Sequence, residues 1–171
     1  MTEPDSPDAD PVAVAREIAL RQLTVRARTR TELARALARK QVPAEAAEVV
    51  IDRLAEVGLI DDEVFARDWL AAGVRRQKSR RSLLAELAEK GVDREVIDQA
   101  AAELDADRDI AVARAFADRK ARSLAGLDRN VAYRRLAGAL ARRGFSPAVV
   151  AQVTREAMAG TIGLQNEWDE P

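Results

Sequence analysis

The sequence predicts an all-α protein built from three tandem three-helix repeats of the helix-turn-helix type. Its 171 residues are 47% hydrophobic but only 4% aromatic, and alanine, the strongest helix former, supplies about a fifth of them. A second observation is an internal repeat with three copies. A third is that helix-capping residues stand at corresponding places in the copies. Together these features predict helices around thin hydrophobic cores.

The repeat emerges when the sequence is compared with itself at offsets of 50 and then 53 residues. Residues 31–42 then align with residues 81–92, which in turn align with residues 134–145. A unit of this size buries little surface alone, so neighbouring units are expected to pack on one another. Each copy contains two leucines four residues apart, namely Leu33 and Leu37, Leu83 and Leu87, and Leu136 and Leu140. The predicted repeats span residues 12–57, 61–105 and 107–158.

Each repeat is predicted to open with a longer helix, at about residues 12–26, 62–76 and 107–122. Hydrophobic residues at helical spacing predict the buried face of each of these helices. They are Val14, Ile18 and Val25 in the first helix, Phe65 and Trp69 in the second, and Ile110, Ala113, Phe116 and Ala117 in the third. Tyr133 and Phe145, further along the third repeat, are also expected to pack in the core rather than to stack on nucleic-acid bases.

A shorter pair of helices is predicted to follow in each repeat. Thr29 begins a capping-box pattern in the first copy, and Ser79 stands at the corresponding place in the second. Gly91 and Gly144 are expected to end the first helix of their pairs in the left-handed conformation. Gln41 replaces glycine at the matching position of the first copy, so this turn is expected to be less tight.

The two ends of the chain differ from the repeats. Residues 1–11 hold three prolines and four acidic residues, and residues 160–171 carry three acidic residues without a helical period. Both segments are therefore predicted to be disordered. Trp168, in the second segment, is either a docking anchor for a partner or an ordinary tail residue.

The composition argues against enzyme chemistry. The chain contains neither cysteine nor histidine, which removes disulfides, the usual nucleophilic triads and most zinc sites. Asp61, Asp62 and Glu63 are consecutive acids at a helix start and are expected to serve the cap rather than a metal. We therefore expect no enzyme activity, no cofactor and no metal. Because no signal peptide or apolar run of about 18 residues is present, we expect a cytoplasmic protein without membrane contact.

Charge is distributed unevenly along the chain. The total of 28 Lys and Arg against 29 Asp and Glu gives a formal net charge of −1. Seven of the acidic residues lie in the two end segments. Residues 12–158 therefore contain 22 acidic and 28 basic residues, which gives them a net charge of +6. A polyanion or an acidic protein surface is therefore a plausible partner.

The densest basic run places five bases within residues 75–81. Arginine side chains at a helix start favour recognition of phosphate or carboxylate groups, although a solvated loop is the alternative for the run alone. Basic residues also recur on the corresponding helices of the other copies, which favours a binding surface. The run comprises Arg75, Arg76, Lys78, Arg80 and Arg81, and the recurring bases are Arg35, Arg39, Lys40, Arg134, Arg135, Arg142 and Arg143.

Sequence-specific recognition of duplex DNA is not favoured. In a helix-turn-helix domain the last helix would enter the major groove. The predicted last helices of the first two repeats, at residues 43–57 and 93–104, each carry a net charge of −3. Such helices would be repelled by the phosphates on which affinity for DNA depends.

Three segments in order carry a family resemblance: residues 58–66 (GLIDDEVFA), 80–92 (RRSLLAELAEKGV) and 141–146 (ARRGFS). Across about residues 14–157 the chain resembles the RecX family of recombination regulators. The resemblance implies three tandem three-helix modules in an elongated, curved array. It also implies a non-enzymatic protein that binds the RecA recombinase, chiefly its filament on single-stranded DNA, and inhibits ATP hydrolysis, strand exchange and coprotease activity.

Weak, non-specific binding of single- and double-stranded DNA is implied as well. The hypothesis is a monomeric clamp that lies along the filament and bridges successive RecA protomers; whether it coats the groove or caps the ends stays open. The alternatives are a non-specific DNA-binding module and an adaptor for another protein. The residues predicted to bind RecA or DNA are Arg75, Arg76, Lys78, Arg80, Arg81, Arg142, Arg143, Arg35 and Arg39.

Overall fold

The computed structural model describes residues 10–104 and 108–165, and in these residues it contains nine α-helices and no β-strand. None of these helices combines the length and the apolarity needed to cross a bilayer. Taken in threes, the helices confirm the predicted all-α, three-repeat fold. They are α1 (Pro11–Val25), α2 (Arg30–Ala38), α3 (Ala44–Glu56), α4 (Asp62–Arg75), α5 (Arg80–Glu89), α6 (Arg94–Ala102), α7 (Arg108–Arg122), α8 (Arg129–Arg142) and α9 (Pro147–Gln165).

Side-chain caps begin the shorter helices, as predicted for Thr29 and Ser79. Thr29 and Glu32 form a complete capping box at the start of α2. The hydroxyl of Ser79 accepts a hydrogen bond from the backbone N–H of Ser82 at 3.1 Å, and the carboxylate of Asp93 caps α6 in the same way at 2.8 Å. Because these contacts involve residues two or three positions apart, they could be anticipated from the sequence.

Helix ends differ from the prediction at both termini of the described chain. Pro11 is the first residue of α1 and the Asp10 carboxylate caps it, whereas both were placed in the predicted disordered segment. At the other end α9 continues to Gln165, because no proline interrupts it and its glycines lower helix propensity without preventing a helix. The rest of the two predicted disordered segments, including Trp168, lies outside the described residues.

The chain divides into two compact units. One contains the described residues of Met1–Asp68 and Leu87–Asp98, and the other contains those of Trp69–Glu86 and Gln99–Pro171. The repeated leucine pairs are completely buried, as their alignment predicted. The core of the first unit comprises Ala15, Ala19, Leu33, Leu37, Ala47, Val50, Ile51, Leu54 and Ile60. That of the second comprises Ala113, Phe116, Ala117, Leu124, Ala132, Leu136, Leu140, Phe145, Val153 and Met158.

The buried face of α1 was predicted wrongly. Val25 is 78% exposed and Val14 is also exposed, whereas Ala15 and Ala19 are fully buried. Small side chains let α1 pack closely on α2 and α3, so the buried stripe passes through the two alanines. Of the predicted residues, only Ile18 packs against this core, and it is partly buried.

The predicted core aromatics differ in how far they are buried. Phe65, Phe116 and Phe145 are buried, as expected. Trp69 is half-buried. Tyr133 is 36% exposed, because the inward face of α8 runs through positions 132, 136 and 140 and leaves position 133 outside it.

The turn at Gln41 is not looser than its counterparts, contrary to the prediction. Gln41 has a φ of 60°, close to the 75° of Gly91 and the 84° of Gly144. In all three turns the backbone N–H of this residue donates to the carbonyl three residues earlier at 2.9 Å. Gln41 therefore adopts the left-handed conformation that glycine adopts in the other two copies.

Candidate functional site

The basic run at residues 75–81 joins α4 to α5 in the second unit. The side chains of Arg75, Arg76 and Arg81 are exposed, and those of Lys78 and Arg80 are half-buried. The run is thus not one uniform basic loop. Its members divide between solvent and contacts within the protein.

The side chain of Arg80 is hydrogen-bonded to backbone carbonyls. Its Nη1 donates hydrogen bonds to the carbonyl oxygens of Ala101 at 2.9 Å and Leu104 at 2.7 Å, near the end of α6. Its backbone N–H donates to the carboxylate of Asp109 at 2.9 Å. The Ala101 carbonyl also accepts from the backbone N–H of Leu104 at 3.0 Å, so the guanidinium adds a charged donor to carbonyls near the end of α6. This contact gives Arg80 a structural role.

Lys78 is neutralised by Glu86. The Nζ of Lys78 lies 2.6 Å from Oε1 of Glu86, which also accepts from the Ser82 hydroxyl at 3.1 Å. The indole N–H of Trp69 donates to the other oxygen at 3.1 Å. Burial alone would raise the pKa of Glu86, but the hydrogen bonds from Lys78, Ser82 and Trp69 outweigh burial and lower it. Glu86 is therefore held as the carboxylate, and Lys78 adds little to an external basic surface.

The start of α5 packs against the turn between α8 and α9, a contact we call the second joint. The backbone N–H of Ser79 donates to the carbonyl of Arg143 at 3.1 Å, and Nε of Arg81 donates to that of Gly144 at 3.3 Å. In return Nη1 of Arg143 donates to the carbonyl of Arg76 at 2.6 Å. The Arg143 guanidinium also lies 4.1 Å from the ring centre of Phe116, a cation–π distance.

The first joint repeats this contact in the first unit, between the start of α2 and the turn from α5 to α6. The hydroxyls of Thr29 and Thr31 donate to the carbonyls of Lys90 at 2.7 Å and Gly91 at 2.8 Å. Nη1 of Arg35 donates to the nearby Glu89 carbonyl at 3.0 Å. Lys90 corresponds to Arg143, and its Nζ lies 5.8 Å from the ring centre of Phe65, which corresponds to Phe116.

Close approach at the joints requires glycine. A Cβ built on Gly91 would lie 2.4 Å from the Thr31 side chain. One built on Gly144 would lie 2.7 Å from Cβ of Ser82 and 2.8 Å from the Ser79 hydroxyl. Both distances are shorter than non-bonded carbon and oxygen atoms tolerate, so each joint excludes a side chain at this position.

The remaining predicted binding residues lie in different places. Arg75, Arg76 and Arg81 lie around the junction of α4 and α5 in the second unit, whereas Arg39 is exposed on the first. The exposed Arg142 lies with other basic residues around an open concavity of about 380 Å³ between α7 and α8. Its lining comprises Lys120, Leu124, Arg134, Arg135 and Arg142. Of these residues the predicted binding set contained only Arg142. It omitted Arg134 and Arg135, which were noted only as recurring bases, and Lys120, which is distant from Arg142 in the sequence.

Comparison with known proteins shows the family of this chain. Three consecutive segments match the first, second and third three-helix domains of RecX, at residues 15–54, 61–100 and 107–154. The chain belongs to the RecX family. Regulatory protein RecX of Streptomyces coelicolor is 45% identical over 157 residues, which cover 91% of this chain and 84% of that protein. Regulatory protein RecX of Thermobifida fusca is 39% identical over 163 residues, covering 95% and 88%.

A crystal structure of RecX from Lactobacillus salivarius shares the fold. It superposes with a TM-score of 0.68 over 86% of this chain and 97% of that chain, at 19% identity. The three RecX domains correspond to α1–α3, α4–α6 and α7–α9. Within the segments that suggested the family, Phe65 and Leu87 are buried, and Gly91 and Gly144 form the joints. These RecX motif positions therefore serve the fold rather than a reactive site.

Proposed function

We propose that this chain binds the RecA recombinase, chiefly as its filament on single-stranded DNA, and inhibits ATP hydrolysis, strand exchange and coprotease activity without catalysing a reaction. The observation that carries the proposal is the match to all three RecX domains, which the chain shares with regulatory proteins. RecA as the target follows from the family resemblance. The protein acts in the cytoplasm as a monomer.

Exposed arginines supply the contacts in this proposal. Arg75, Arg76 and Arg81 present guanidinium groups around the junction of α4 and α5, and Arg39 and Arg142 are exposed elsewhere. Such groups bind carboxylates and phosphates, both of which a nucleoprotein filament offers. Lys78, Arg80 and Arg143 act indirectly, because their side chains hold the α4–α5 junction and the second joint. Arg81 also donates through Nε to the Gly144 carbonyl in that joint, so the rest of its guanidinium faces a ligand.

The mechanism proposed is a clamp. Tandem modules can contact successive RecA protomers, so that several weak contacts add up to high avidity without one deep pocket. Bridging protomers would hold them in one nucleotide state and slow ATP turnover. The joints fix the contacting modules of each unit against one another, which reduces the entropy lost on binding.

The experiment that tests this function is a titration of RecA's ATP hydrolysis on single-stranded DNA with this protein. Inhibition far below the RecA concentration would indicate end capping, and inhibition only near equal concentrations would indicate groove coating. The charge-reversal variant Arg75→Glu/Arg76→Glu is expected to weaken inhibition. The control Arg16→Glu/Arg67→Glu changes the net charge equally at exposed positions and is expected to inhibit normally. Absence of inhibition by the unmodified protein would refute the proposal.

A non-specific DNA-binding module is the second candidate function, and the basic concavity between α7 and α8 favours it. A simple DNA binder would lose affinity for naked DNA steeply with salt and would gain nothing from RecA. A filament regulator would prefer RecA-coated DNA at the same ionic strength. Specific recognition of duplex DNA is not proposed, because the acidic side chains of α3 are exposed at positions 45, 48, 52 and 56.

A further inference from the structure

We propose that the concavity between α7 and α8 is a binding site for neighbouring phosphates of a polynucleotide backbone. Four cationic side chains and one leucine line it, and no carboxylate of the described residues does. Three of the cations lie on α8 and the fourth, Lys120, is near the end of α7. The inference assigns the contact with DNA to this part of the third module rather than to the basic run at residues 75–81.

The charge excess of the chain is concentrated around this site. Residues 108–143, which include α7 and α8, contain ten Lys and Arg but only three Asp and no Glu. The resulting net charge of +7 exceeds the +6 of the whole body between residues 12 and 158. An anionic ligand that approaches the protein is therefore attracted most strongly to this pair of helices.

The cations around the concavity are available to a ligand. Among the described residues, the side chains of Lys120, Arg135 and Arg142 make no hydrogen bond or ion pair. Arg134 donates only to the carbonyl of Asn130, one turn earlier in its own helix, at 3.3 Å. This contrasts with Arg143, which neighbours Arg142 but is bound to a carbonyl and packed on a ring.

The lining favours phosphates over an acidic protein surface. Protein interfaces depend on apolar or aromatic anchors, but the apolar residue in this lining, Leu124, is already buried in the core. Arg134 and Arg142 are eight positions apart on α8, which corresponds to about 12 Å along the helix axis. A DNA strand carries a phosphate about every 3.4 Å of duplex axis, so the site can contact more than one phosphate at once.

Binding of a labelled single-stranded oligonucleotide, measured by fluorescence anisotropy at several salt concentrations and without RecA, tests the proposal. The variant Arg134→Ala/Arg135→Ala is expected to bind about tenfold more weakly. Its salt dependence should flatten by about 0.7 in log–log slope for each phosphate that the variant no longer neutralises. The control Arg16→Ala/Arg67→Ala removes the same charge from exposed positions of the first unit and should weaken binding less than about threefold. Helicity is checked by circular dichroism.

Three results would overturn the proposal. Equal weakening in the two double variants would mean that only net charge matters. Unchanged DNA affinity together with abolished binding to RecA would make the concavity a protein contact. Unchanged DNA affinity together with saturable binding of orthophosphate, abolished by Arg134→Ala/Arg135→Ala, would make it a site for free phosphate. Because the DNA-binding assay contains no RecA, its outcome does not depend on whether the chain inhibits RecA.

Discussion

The two joints have the same shape but balance their charges differently. In the first joint the cation of the turn, Lys90, pairs with Glu32 at 3.0 Å. In the second, the corresponding Arg143 donates to the backbone carbonyl of Arg76, and Ser82 stands where Glu32 stands in the first. The first joint is therefore neutralised by a carboxylate, whereas the second keeps a positive charge beside the basic pair α7 and α8.

The features common to both joints are those that packing between the repeats requires. Each joint has a left-handed glycine against a hydroxyl-bearing helix start. Each also has an aspartate that accepts the backbone N–H of the first residue of the helix, Asp62 for Arg30 at 3.0 Å and Asp109 for Arg80 at 2.9 Å. Backbone geometry is thus common to both copies, and side-chain charge is free to differ.

The glycines of the joints should be the most sensitive positions. Gly91→Ala and Gly144→Ala are each expected to lower the free energy of unfolding by about 2–4 kcal/mol, since both combine a positive φ with a steric clash. Gly91→Ala should cost more, because its Cβ would lie 2.4 Å from Thr31 compared with 2.7 Å from Ser82 at Gly144. Urea unfolding followed by circular dichroism measures both.

The control for the clash is Gly58→Ala. Gly58 also has a positive φ, of 72°, but no atom lies within 4 Å of a Cβ built there. This substitution should cost only about 1 kcal/mol, because the left-handed penalty of about 1–2 kcal/mol is partly offset by the lower entropy of the unfolded chain. If Gly91→Ala cost no more than Gly58→Ala, the close packing of the first joint would be disproved.

Arg80 and Arg30 occupy the same repeat position and should differ strongly in their contribution to stability. Arg80→Ala leaves two carbonyls at the end of α6 without their charged donor and should cost about 2 kcal/mol. Arg30 forms an exposed ion pair with Asp52, so Arg30→Ala should cost less than about 0.5 kcal/mol. Urea midpoints at equal m-values measure the difference. Equal costs would mean that the contacts of Arg80 contribute no more than a surface ion pair.

The first joint should weaken in acid. Burial alone would raise the pKa of Glu32, but hydrogen bonds from Arg26 and Lys90 outweigh it and lower the pKa to about 2. A carboxyl whose pKa is lower in the folded than in the unfolded chain stabilises the fold above the unfolded pKa of about 4.3, and this stabilisation disappears as the pH falls towards 2.

Thermal unfolding of the wild type and of Glu32→Gln between pH 6 and pH 2.5 measures this contribution. The wild type should be more stable at pH 6 by about 1 kcal/mol, and the difference should shrink as the pH decreases. Glu32→Gln provides its own control for other acidic groups, including Glu86, because they titrate in both proteins. A stability difference that stays constant across this range would contradict the assigned pKa.

The fold could be predicted where its determinants are local. These determinants are the leucine pairs four residues apart, the caps at Thr29 and Ser79, and the turn glycines. Each acts within one or two helical turns, and each recurs at the repeat offsets. The buried face of α1 could not be predicted from hydrophobicity, because Ala15 and Ala19 are buried only through the close approach of α2 and α3.

The site was harder to predict, because an arginine has the same sequence signature whether it binds a partner or a backbone carbonyl. Arg143 donates to the carbonyl of Arg76, 67 positions earlier, and no local sequence pattern predicts such a contact. One signal was available: Arg143 aligns with Lys90, and Phe116 is 51 residues after Phe65. A cation and a phenylalanine that recur together indicate packing within the protein. This pattern predicts a structural role for Arg143 and none for its exposed neighbour Arg142.

Gln41 provides the smallest and most direct test of what the joints require. It adopts the same turn as Gly91 and Gly144 but is exposed, whereas the two glycines are half-buried against a neighbouring helix start. Gln41→Gly removes a left-handed penalty of about 1–2 kcal/mol and adds about 0.4–1 kcal/mol of unfolded-state entropy, so a net stabilisation of about 0.5–1 kcal/mol is expected. Gln41→Ala keeps the penalty and should change little. Urea unfolding of the two variants distinguishes these outcomes. A decrease in the stability of Gln41→Gly would mean that the glutamine side chain contributes to the turn, and that glycine is not dictated by the approaching helix alone.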